Sequence, residues 1–75
     1  MKLLSQMTSD EIVREAIRWE ETMLKFYQRV LHEVAPDAQT IIHQLCSQQK
    51  ERIQHLESLL EDLEELRELT EAIAD

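Results

Sequence analysis

Between Ile42 and Ile73 the apolar residues recur at steps of three and four: Ile42, Leu45, Leu56, Leu59, Leu63, Leu66 and Ile73. The beats that fail fall on Gln49, Arg52 and Thr70. This spacing is a heptad seam on one long helix, and it constrains the fold because such a stripe must be buried against a partner. Gln49 and Arg52 are adjacent beats one turn apart, and both are polar. A seam that breaks its own rule at neighbouring positions either fixes register or holds a site.

A second helix is predicted upstream. Thr8-Ser9-Asp10-Glu11 has the spacing of a capping box, with acids suited to the positive end of the helix dipole. Its seam runs Val13, Ala16, Glu20, Met23, Tyr27, Val30 and Val34, stepping three and four again. Ile17, Leu24 and Leu31 widen the face on one side, and Ile12, Trp19 and Phe26 on the other, giving a face broad enough for a bundle. Glu20 is the polar beat. The break is Ala35-Pro36-Asp37: the residue before a proline leaves the α region, and proline suits the first turn of the next helix. So short a connection makes the two helices antiparallel. The expected fold is all-α, a hairpin of helices at about 9–34 and 37–73 within a single domain, 9–75. It follows an apolar leader, 1–8, that contains Leu3, Leu4 and Met7.

Counting back from the proline sets Glu20 level with Gln49 and Arg52, at about 1.5 Å rise per residue on each helix. The three form an expected polar core layer, with Tyr27 one to two turns away on the same seam. The same count lets helix one cover helix two only to about residue 62, leaving Leu63, Leu66, Leu69 and Ile73 uncovered. The leader can cover part of that. A second chain is expected to cover the rest, giving a homodimer or higher homo-oligomer built as a four-helix bundle. Its interface is expected to use Ile17, Trp19, Met23, Leu24 and Phe26 from helix one. Helix two is expected to add Ile53, Leu56, Leu59, Leu60, Leu63 and Leu66. Size agrees: with 75 residues a single core rarely supplies more than about 3–5 kcal/mol, and oligomerisation is a common remedy.

Composition narrows the function. There is no Gly, so a glycine-rich phosphate loop is excluded. A net charge of −8 disfavours nucleic acid and anionic membrane surfaces as partners. From Glu61 to Asp75 seven acids face the single base Arg67, which reads as a solvated helix face or as an acidic docking surface. Cys46 is alone, Met1-Lys2-Leu3-Leu4 is followed at once by polar residues, and no apolar run approaches membrane-spanning length. A soluble, cytoplasmic protein is expected. His32 and His43 fall on outward positions, Cys46 reads as a small buried thiol, and no catalytic nucleophile arrangement is visible.

The stretch Ala16-Ile17-Arg18-Trp19-Glu20 through Phe26-Tyr27 resembles the first helix of the rubrerythrin and ferritin-like family, in which a metal-ligating Glu precedes an aromatic-Tyr pair. Leu45-Cys46-Ser47-Gln48-Gln49-Lys50-Glu51-Arg52 is similar to the second helix. The likeness spans roughly Glu11 to Leu60 and extends to the short two-helix encapsulated ferritins, whose hairpins pair to complete a ferroxidase site. The resemblance implies a di-iron site built from Glu20 and a Glu-x-x-His pair at 49 and 52. Here those positions hold Gln49 and Arg52, and a guanidinium never deprotonates to bind a metal. An altered iron or zinc site would draw on Glu20, His55 and Glu51. Three functions follow as expectations. The first is a ferritin-like bundle that has lost its metals and its enzymatic role, needs no cofactor, and serves as an assembly or interaction module. The second is a metal-binding, rubrerythrin-type oxidoreductase with altered ligands, and the third an acidic coiled-coil adaptor.

Overall fold

A computed structural model of the chain describes residues 3–74 and contains a short 3₁₀ turn followed by two long helices. Helix α1 spans Ser9–Leu31 and helix α2 spans Pro36–Ala74; they pack against each other as a hairpin, and no strand occurs among the described residues. Met1, Lys2 and Asp75, which belong to the expected leader and acidic end, lie outside the described residues.

Each boundary has a local cause. Thr8 caps α1: its Oγ1 accepts from the Glu11 amide at 3.2 Å, and its hydroxyl donates to the Glu11 carboxylate, also at 3.2 Å. The helix ends at Leu31, three residues before the expected Val34. There the His32 amide turns to the carbonyls of Arg29 and Val30, and the Glu33 amide bonds the Val30 carbonyl at 2.9 Å, tightening the last turn. Pro36 opens α2, where its missing N–H costs nothing.

The stripe buried between the helices differs in phase from the expected seam. On α1 it runs Asp10, Val13, Ile17, Glu20, Leu24, Tyr27 and Leu31; on α2 it runs Ile42, Cys46, Gln49, Ile53, Leu56, Leu60 and Leu63. Half the expected beats hold and the other half move by one residue. Ile53 replaces Arg52, Leu60 replaces Leu59, and Leu24 replaces Met23. Both flanks of each seam are apolar, so a rotation of about 50° costs the pattern little. Ile53, expected at a dimer interface, is 9% exposed inside its own hairpin, and Ile17, Leu24, Leu56, Leu60 and Leu63 are half-buried there.

Of the described leader residues, Leu3 and Leu4 are exposed and Met7 is half-buried; the Leu3 amide bonds the Gln6 side chain at 3.3 Å within its own turn. Beyond the covered stretch of α2, Leu66, Leu69 and Ile73 are exposed as expected, whereas Leu63 is half-buried and the long Arg67 side chain reaches Asp10 at the start of α1.

The result is a thin slab, 59 × 25 × 13 Å, in which Val13, Cys46 and Ile53 are the buried apolar residues among those described. It exposes 6268 Å², whereas a compact 8.9 kDa chain exposes about 4,800 Å². Ile12, Trp19, Met23, Phe26, Ile41 and Leu59 are among the large apolar side chains in contact with solvent.

Candidate functional site

The two helices bring three polar side chains together at mid-height. The Gln49 side-chain amide donates to Oε2 of Glu20, and Nη1 of Arg52 lies 3.7 Å from the same oxygen. Their burial is graded: Gln49 is 4% exposed, the Glu20 side chain 24%, and the Arg52 side chain 61%. Glu20 and Gln49 sit on the inner stripes of their helices. Arg52 sits one position outside, so its guanidinium reaches in over the rim of the slab while its stem lies along the surface. Chemically this is a carboxylate tied by a neutral donor from below and a cation from the side.

Tyr27 does not join the layer. It stands two turns from Glu20, half-buried, with its ring 5.9 Å from that of Phe26, and no hydrogen bond links it to Glu20, Gln49 or Arg52 among the described residues. The alternative ligand set is not assembled either. Glu51 and His55 are exposed on the outer side of α2, and no group of three His, Cys, Asp or Glu side chains close enough to hold a metal ion occurs among the described residues. His32 and His43 are exposed, and Cys46 is a buried free thiol.

Two further ties, which the expected seam does not contain, extend the layer along the hairpin. Arg67 Nη2 lies 2.6 Å from Oδ1 of Asp10, whose side chain is 5% exposed, and Arg14 Nη2 lies 2.9 Å from Oε1 of Glu64 at the surface. Asp10 keeps one buried oxygen, Oδ2, without a hydrogen-bond partner. The signal for Asp10 and Arg67 is positional: Asp10 is three residues before Val13, and Arg67 follows Cys46, Ile53 and Leu60 at steps of seven.

Comparisons with family models, with curated proteins and with solved structures return no match to this chain. No described helix is long and apolar enough to cross a membrane.

Proposed function

We propose that this chain is a ferritin-like bundle protein whose metal site has given way to an ion-paired layer, and that it acts as an assembly or interaction module built from more than one copy. The observation that carries the reading is the double engagement of Glu20 Oε2 by Gln49 and Arg52. In a ferritin-like site a carboxylate at that position would face a cation. Here the positive charge comes from Arg52, which has no lone pair to ligate iron or zinc. The exposed area supports the homo-oligomer: the excess over a compact chain is roughly 1,450 Å² per copy. The lone buried Cys46 suits a reducing cytoplasm.

Metal content after purification tests this, measured for the unaltered chain and for Glu20→Ala. Both are expected to carry iron and zinc far below one per chain. A stoichiometric metal that disappears in Glu20→Ala would replace this reading with the oxidoreductase. The acidic adaptor draws on one observation of its own, that Glu65, Glu68 and Glu71 are exposed at the far end of α2. A chain that is monomeric in solution would favour it.

A further inference from the structure

The two halves of the hairpin are held differently. Towards the turn the buried residues are Cys46, Gln49 and Ile53, and the chain through Pro36 joins the helices covalently. Towards the open end α1 buries Asp10 and Val13, whereas Leu56, Leu60 and Leu63 of α2 are half-buried. One of the two buried residues at this end is therefore a carboxylate, and its Oδ2 has no hydrogen-bond partner. Two arginines cross between the helices here: Arg67 lies 2.6 Å from Asp10, and Arg14 lies 2.9 Å from Glu64.

Charge is divided just as unevenly. Residues 20–53 carry five acids and four bases, a net −1. Residues 9–19 carry three acids and two bases, and residues 54–74 carry seven acids and one base, so the open end holds −7. Asp10 is thus buried where the facing helix is most acidic, with Arg67 as that stretch's one base.

We infer that the open end is a releasable latch: Arg67 holds the buried Asp10 carboxylate, and residues 9–19 of α1 leave and rejoin α2 as a unit while the Glu20–Gln49 contact stays closed. Release bares Val13 and Ile17 on α1 and Leu56, Leu60 and Leu63 on α2, a strip that the closed hairpin covers wholly or in part. The latch lies within one chain, so it operates in a single copy or in several.

The balance follows from what closing demands at Asp10. Its carboxylate must leave water for one charged partner, with Oδ2 unpaired, and an unpaired buried acceptor is costly. A buried ion pair is seldom better than well-packed apolar residues in its place, yet removing one member strands the other. The seven acids of α2 add repulsion in the same place. Arg14 and Glu64 are both near half exposed, so their pair is screened and adds little. Towards the turn, by contrast, the buried Gln49 amide has its acceptor in Glu20. Segments with few buried contacts open at lower free energy than the rest of a fold. A released stretch of about three turns has little helicity of its own in water, so release frees its amides.

Amide hydrogen exchange of the full chain tests the latch, comparing amides 13–17 with amides 24–27. In the unaltered chain the first set is expected to exchange about tenfold faster or more. Arg67→Met is expected to speed the first set by about another tenfold and leave the second unchanged. Asp10→Leu with Arg67→Met, which removes both charges and supplies apolar stems, is expected to slow the first set below its rate in the unaltered chain. A double variant that exchanges as fast as the unaltered chain or faster at amides 13–17 would overturn the latch. So would substitutions that change both sets of amides in parallel, since the hairpin would then open as one piece. The mass in solution does not enter this comparison, so its outcome is separate from that of the bundle reading.

Discussion

At Glu20 one carboxylate oxygen accepts from Gln49 and faces Arg52, and the two partners do not contribute alike. Arg52 is 61% exposed, so its attraction is screened and resembles a surface pair worth about 0–1 kcal/mol. Gln49 is 4% exposed, and a buried amide left without a partner costs about 1–3 kcal/mol. Glu20→Ala should therefore destabilise the protein by about 1–3 kcal/mol in denaturant melts. Glu20→Ala with Gln49→Leu should recover most of that, while Glu20→Ala with Arg52→Leu recovers little. If the Arg52 double variant recovers more, the ion pair and not the amide holds the layer. The same logic separates the other two ties. Arg14→Met should cost about 0–1 kcal/mol, since both partners are near half exposed. Arg67→Met strands the buried Asp10 carboxylate and should cost about 1–3 kcal/mol more. Equal effects of the two substitutions would show that Asp10 is hydrated.

At the scale of the helices, the cap and the turn carry separable contributions. Thr8→Ala removes an acceptor for the Glu11 amide and should cost about 1 kcal/mol, with Thr8→Ser close to neutral; the comparison of their unfolding midpoints checks it. These elements are legible in the sequence because each has a local chemical marker: Thr8 with Glu11, Pro36, and the absence of Gly elsewhere. The meeting of Glu20 with Gln49 is legible too, since both interrupt a stripe and the proline fixes their relative height. The phase of the buried stripe is not. On α2 the series Leu45, Arg52, Leu59, Leu66 and the series Cys46, Ile53, Leu60, Arg67 are each apolar with one basic member. Only packing decides that the second faces α1 and the first faces out. The Asp10–Arg67 tie is hidden for the same reason, because it belongs to the series that the sequence pattern does not single out.

For the whole molecule, the decisive quantity is surface. A slab 13 Å thick with three buried apolar residues among those described exposes far more than a compact chain of its mass, and its charge is gathered at one end and on one face. If the proposed homo-oligomer forms, its folding should depend on concentration, since association stabilises the native state by mass action. Sedimentation equilibrium of the unaltered chain over a wide concentration range measures this directly. The account predicts a mass of twice the 8.9 kDa chain or a higher even multiple. A single-chain mass at every concentration, with full helicity and cooperative unfolding retained, would contradict it.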